Sequence, residues 1–398
     1  MLLPEIDDIE EKLASLKQTV EEVGKEDAIL KLSKHFAQEE LSFLVDQLNG
    51  RELAKEKFPF LASNNNILYP PSYYLEQTSS ETTAGFKAGI VEGDVLIDMT
   101  GGFGIDTFFF SQKIRETWYV EQDPLIYEIA SRNLRELNPA VKTICGDSLQ
   151  FLQRFSKKAD WIFLDPLRRS KQGRLSRVEE YQPNIYAIRE QLFRHADNVM
   201  IKLSPMTDIS QLVKLLGNQI DHVYVLAVDN ECRELLITAD GKEHDNPLVE
   251  TINWGKGKKE SFISYLKRDI DQPAPTLSDP LQYLYEPNAA VFKAQQYDEL
   301  AKKYDLFKLH PNTHIYTADI YQQDYPGRIY KVHGVYAFDA KALKSAGDDL
   351  SFNIKTRNFP MDPTMVAKKL RIKDGGTQFL FCVKTKDEKL RVVVGKRV

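Results

Sequence analysis

The chain has 398 residues, 28% of them charged and 42% apolar, with a formal net charge of -5. This is the composition of a globular protein of two or three domains; it excludes extensive disorder, and the mild acidity speaks against nucleic acid as a partner of the chain taken as a whole. There is no apolar run of about 18 residues to cross a bilayer, and the start MLLPEIDDIEEKL is acidic where a signal peptide is basic, so the expectation is a cytoplasmic protein without a membrane partner.

From Glu5 to about Asn49 apolar residues recur at helical intervals (Ile6, Ile9, Leu13, Leu16, Val20, then Phe36, Leu41, Leu44, Leu48), which predicts a helical region over 1–60. A Pro-Pro step and an Asn run, NNNILYPPSYY, mark the passage to the next unit. From Val95 short β-branched or aromatic runs alternate with amphipathic helices: VLIDM, TWYVE, VKTIC, DWIFLD, NVMIKLS and HVYVLAV are the strands. That alternation predicts an α/β, Rossmann-like parallel sheet covered on both faces, over 61–245. HVYVLAVDNECRELLITAD reads as an antiparallel hairpin at the edge of that sheet. Polar, Gly-Lys-rich and Pro-rich sequence then predicts a linker over 246–280. A smaller α+β region follows, with an amphipathic helix in NAAVFKAQQYDELAKKY and strands in THIYTADIY, RIYKVHGVYAF, QFLFCVKTK and LRVVVGKRV. The three cysteines share no CxxC spacing and the seven histidines form no HxxxH or HxH group, so neither a disulfide framework nor a metal is expected.

The stretch IDMTGGFGIDT carries the chemistry. An apolar run ends at Asp98, the glycines Gly101, Gly102 and Gly104 follow, and a helical pattern starts at once. Strand, glycine turn and helix is the context in which backbone can approach a ligand at a helix N-terminus. Glu121 ends the next strand about 20 residues on, the spacing of an acid that holds ribose hydroxyls. Asp147 follows the third strand and Asp165, with Pro166, the fourth. Each such acid could equally be the N-cap of the next helix, or Asp165-Pro166 a strand stop. Together they lie on the edge where open α/β sheets bind ligands. The turn lacks the last glycine of the dinucleotide fingerprint, and Asp98 and Asp106 flank it, which suits an ammonium group better than a pyrophosphate.

In order and spacing, DMTGGFGIDT, VEQDP, GDSLQF and DPLRR resemble the motifs of class I S-adenosylmethionine-dependent methyltransferases, and the closing hairpin is similar to that of their seven-stranded sheet; the resemblance covers roughly Leu75 to Asp240. LEQTSSETTAGFKA and the C-terminal region are similar to bacterial members with a THUMP-like domain, a group related to RNA guanine-N2 methyltransferases. YEPNAAVFKA resembles their ferredoxin-like insert, placed at 281–323, and IKTRNFPMDPTMVAKKLRIKDGGTQFLF their THUMP-like module, placed at 324–398. The resemblance implies S-adenosyl-L-methionine as cofactor. Asp98, Gly102 and Gly104 would then contact its methionyl part, Glu121 the ribose, and Asp147 and Ser148 the adenine edge; Gln77, Thr78 and Ser79 would close over it. Asp165 and Pro166 stand where amino-methylating relatives carry an Asp/Asn-Pro-Pro-aromatic motif, but Leu167 and Arg168 replace the last two positions, which leaves the acceptor open. Asp165 and the Pro166 carbonyl could accept hydrogen bonds from an amino group aligned with the methyl.

The loop after Asp165 holds Arg168, Arg169, Lys171, Arg174 and Arg177, suited to phosphates of an extended substrate. The C-terminal stretch with Lys355, Arg357, Lys368, Lys369, Arg371 and Lys373, interspersed with Phe352 and Phe359, is a second candidate platform. The implied activity is methylation of a base nitrogen of structured rRNA or tRNA. The alternatives are a non-catalytic S-adenosylmethionine- or RNA-binding module and a methyltransferase for a small molecule or protein.

Overall fold

A computed structural model describes residues 6–168, 181–255, 257–266, 274–346 and 350–398. The chain forms two compact units, one made of Met1–Leu203, Ser210–Ile220 and Thr238–Glu243, the other of Ser204–Ile209, Asp221–Ile237 and His244–Val398.

In the first unit the N-terminal periodicity becomes the helices Ile6–Val23, Lys25–Leu32 and Gln38–Lys57. Their apolar stripe (Ile9, Leu13, Leu16, Leu41, Leu44) joins Leu68, Tyr69, Leu75, Phe103 and Ile129 in one buried cluster, so the helical region shares a core with the α/β part. The strands that follow are β1 (Val95–Asp98), β2 (Glu116–Glu121), β3 (Lys142–Cys145), β4 (Ala159–Leu164), the two-residue β5 (Leu167–Arg168) and β6 (Tyr181–Gln182), β7 (Ala196–Leu203), β8 (Ile220–Val228), β9 (Glu231–Ala239), β10 (Leu248–Gly255) and β11 (Lys258–Tyr265). In the first unit β7, β4, β1, β2 and β3 lie side by side in that order, and in the second β11, β10, β8 and β9 do so, nine strands where the resemblance implies seven; β5 and β6 pair with each other. Parallel pairing joins β3, β2, β1, β4 and β7. All four residues of β1 are buried, as expected of a strand covered on both faces.

β1 has β2 on one side and β4 on the other, so the winding direction reverses between β1 and β4, and the crevice at their C-terminal ends is where such sheets bind ligands. Two expectations are corrected at the far edge. The stretch expected as a linker from 246 carries β10 and β11, with β10 parallel to β8 and antiparallel to β11. β8 is therefore not the edge strand that the hairpin was expected to supply, since β10 runs along it. Its turn residues Asp229 and Asn230 have φ of 51° and 64°, the geometry of a two-residue hairpin turn.

The second unit also holds an eight-stranded, mostly antiparallel sheet: β12 (Tyr283–Pro287), β13 (Phe307–His310), β14 (Thr313–Ala318), β15 (Gly327–Ala337), β16 (Ser351–Arg357), β17 (Lys373–Asp374), β18 (Gln378–Lys384) and β19 (Leu390–Arg397), in the order β13-β14-β12-β15-β19-β18-β16-β17. The single amphipathic helix expected after Asn288 is two, Ala289–Ala294 and Tyr297–Lys303, because Gln295 turns left-handed at φ 57°. No helix among the described residues is long and apolar enough to cross a membrane.

Candidate active site

The glycine turn is shaped by the strand beside it. A Cβ on Gly101 would lie 2.2 Å from the ring of Tyr119, whose hydroxyl donates to the Gly102 carbonyl at 2.7 Å. Gly104 is the left-handed N-cap (φ 83°) from which the helix Ile105–Ser111 departs. The Gly102 N–H donates to Glu121 Oε2 at 2.9 Å, and the Asp123 N–H to its Oε1 at 2.8 Å. The carboxylate at the end of β2 is thus aimed by two backbone amides beside the turn.

Asp98 is 1% exposed. It accepts from the Thr107 hydroxyl at 2.6 Å and from the Thr100 N–H at 3.0 Å. Burial pushes its carboxyl up to about 7; those two hydrogen bonds oppose the rise, and the nearby Asp106 and Asp165 add to it. Asp147 caps the helix Ser148–Arg154 by accepting from the Gln150 N–H at 2.8 Å, so its local capping role is realised. Ser148 is the first residue of that helix. The Gly146 N–H donates to the Glu121 carbonyl at 2.8 Å, which brings the 146–148 loop to the end of β2.

Asp165 directly follows β4. Its N–H donates to Thr100 Oγ1 at 2.6 Å, linking the ends of β4 and β1. Its carboxylate keeps 34% of its surface and receives Lys202 Nζ at 2.6 Å. Burial raises its pKa, and the lysine opposes the rise. Pro166 is buried.

Two lysines here escaped the sequence reading. Lys202 stands near the end of β7 and donates both to Asp165 and to the Gln77 carbonyl, the latter at 3.1 Å. Lys87, fully buried in the helix Glu81–Ala88, lies 3.0 Å from Asp106 Oδ1 and donates to Ser79 Oγ at 2.7 Å; Ser79 in turn donates to Asp106 Oδ2 at 2.7 Å. Their signals were a lysine inside the apolar strand NVMIKL and one inside the short helix ETTAGFKA. The pairing corrects one expectation: Asp106 is matched by a buried cation, so Asp98 is the acid at the turn held by neutral donors. Gln77 ends the helix Ser72–Gln77, and Thr78 donates back to the Tyr74 carbonyl at 2.9 Å, so 77–79 is a strap held at both ends.

Of the proposed phosphate-binding residues, Arg168 has its backbone in β5, opposite Tyr181 in β6. Arg169, Lys171, Arg174 and Arg177 lie outside the described residues. The C-terminal platform is partly corrected. Lys355 and Arg357 pair with Glu286, itself 4% exposed, and Phe352 is 2% exposed in the core, with no face free to stack on a base. Phe359 packs edge-on against Phe338 at 4.8 Å between ring centroids.

Comparison with known proteins extends this geometry. A ferredoxin-like domain family matches residues 283–326 and a THUMP domain-like family residues 327–397. No curated protein matches. A solved presumptive methyltransferase of Porphyromonas gingivalis W83 superposes with a TM-score of 0.86 at 26% identity over 100% of both chains. Smaller overlaps occur with an rRNA methylase of Streptococcus thermophilus (12% identity, TM-score 0.30, 40% of this chain and 93% of that one). A presumptive RNA methyltransferase of Pyrococcus horikoshii overlaps similarly (17%, 0.32, 46% and 96%). The chain is a class I methyltransferase-fold protein that carries C-terminal ferredoxin-like and THUMP-like domains.

Proposed function

We propose that this chain is an S-adenosylmethionine-dependent methyltransferase that modifies a base nitrogen of structured RNA. The observation that carries the reading is the convergence, at the reversal point of a parallel sheet, of a glycine turn, the buried Asp98, the amide-aimed Glu121 and the half-open Asp165. The residues fit the cofactor. The turn at 101–104 has no side chains to obstruct a ligand's approach except Phe103, and the Asp98 carboxyl in its floor would ionise beside an ammonium group. Glu121 keeps lone pairs for ribose hydroxyls, and the 146–148 loop lies beside it for the adenine edge.

The bound cofactor supplies an already activated methyl group. Asp165 and the Pro166 carbonyl would accept hydrogen bonds from the acceptor's amino group and hold its nitrogen in line with the methyl. The strap 77–79 would cover the cofactor and exclude water. The THUMP-like domain and the basic segment after Asp165 support an RNA acceptor, whose phosphates would supply affinity without sequence preference. A cytoplasmic setting accords with this substrate.

Mass spectrometry of nucleosides from rRNA and tRNA of a deletion strain is the test. One methylated nucleoside should be missing and should return when purified protein and S-adenosylmethionine are added to that RNA. Intact nucleosides, with label from the cofactor passing into a protein or small-molecule fraction instead, would overturn the RNA assignment. Cofactor binding without transfer to any fraction would leave a binding module.

A further inference from the structure

Two buried lysines do the same work on either end of the strap. Lys87 joins Ser79 to Asp106, and Lys202 joins Gln77 to Asp165. A lysine with a side chain 9% exposed, inside a strand, is costly unless its charge is paired, and here the partners are a carboxylate and a carbonyl on different elements. We propose that Lys202 is a positioning residue of the transfer site: it aims the Asp165 carboxylate toward the acceptor and fastens Gln77, and with it the strap, to the end of β4. The proposal rests on the reading that Asp165 faces the acceptor.

The electrostatic surroundings show why a cation is needed. Asp165 faces Asp98 from β1, Asp106 and Lys87 from the helices beside the turn, and Lys202 from β7. Two acids and burial favour the protonated carboxyl, whereas a carboxylate accepts more strongly from an amino group. The Lys202 ammonium at 2.6 Å opposes that rise and occupies Oδ2, and the third of the side chain left exposed remains for the acceptor.

The test uses the full chain with 13Cγ-labelled aspartate, the Asp165 resonance being assigned by its loss in Asp165→Asn. Lys202→Met and Lys202→Gln are compared with the parent, using whichever melts with it. The Asp165 titration midpoint should rise by about one pH unit or more. An unmoved midpoint would overturn the proposal. Transfer of labelled methyl to RNA from a deletion strain gives the second readout. The acid limb of the Lys202 variant's rate should move to higher pH, and Lys202→Met should slow Asp165→Asn by clearly less than it slows the parent, because only the hold on Gln77 is then left to lose. Losses that multiply would mean that Lys202 acts elsewhere. Failure of the parent to methylate RNA would count against the RNA reading, and the midpoint would still decide whether Lys202 governs Asp165.

Discussion

Each unit buries a charged cluster, and the two are built on opposite balances. At the ends of β1 and β4 three acids, Asp98, Asp106 and Asp165, meet two lysines. In the eight-stranded sheet one acid, Glu286, meets Lys355, Arg357 and Arg328, and also accepts from the Tyr330 hydroxyl at 3.0 Å. The second cluster is saturated: its carboxylate is fully engaged, and Lys355 also lies 5.4 Å from the Tyr330 ring centroid. It clamps β12, β15 and β16 together. The first leaves Asp98 held by neutral donors alone among the described residues, with its carboxyl near 7, which is a poor way to stabilise a fold and a suitable way to receive a cationic ligand.

The largest effect should come from breaking the saturated cluster. Glu286→Ala strands a buried ammonium and should cost about 3–5 kcal/mol in urea unfolding, with S-adenosylmethionine affinity of any folded protein unchanged. A parallel loss of affinity would end the division of labour between the two clusters.

Asp98→Asn should do the reverse, weakening S-adenosylmethionine binding by about tenfold or more in calorimetry while stabilising the fold at pH 8. The sign follows from the raised carboxyl. Folded Asp98 keeps its proton up to about 7, whereas the unfolded group loses it near 3.8. The parent's stability contribution is therefore full below pH 3.8 and is lost as pH rises through 7. Cofactor affinity should climb over the upper part of that window in the parent and be flat in Asp98→Asn.

Gly101→Ala pushes against the Tyr119 ring and should cost about 1–3 kcal/mol of stability, with weakened cofactor binding, since the ring also orders the Gly102 carbonyl. The smallest effect sharpens the role of Asp147. Asp147→Ala should cost about 1 kcal/mol for the lost cap, and a change in affinity beyond what Ser148→Ala gives would mark a direct contact with adenine.

The strands, their parallel pairing and the acids at their ends could be read from the chain because each depends on local pattern: apolar runs, glycines at a strand end, an acid one residue later. β10 and β11 could not. LVETINWG and KKESFISY lie in polar, Gly-Lys-rich surroundings that resemble a linker, and what makes them strands is pairing along the edge of β8. Nor could Lys355 be separated from Lys368 as a surface cation, since only the packing of β16 turns it toward Glu286.

The sequence by itself determined which chemical groups end β1, β2 and β4, because a strand's last residue and the turn after it are set within about ten positions. Only the tertiary structure decided which of those acids meet a cation. Lys202 reaches Asp165 across 37 positions and Gln77 across 125, and a buried charge is matched or left bare according to what distant elements bring beside it.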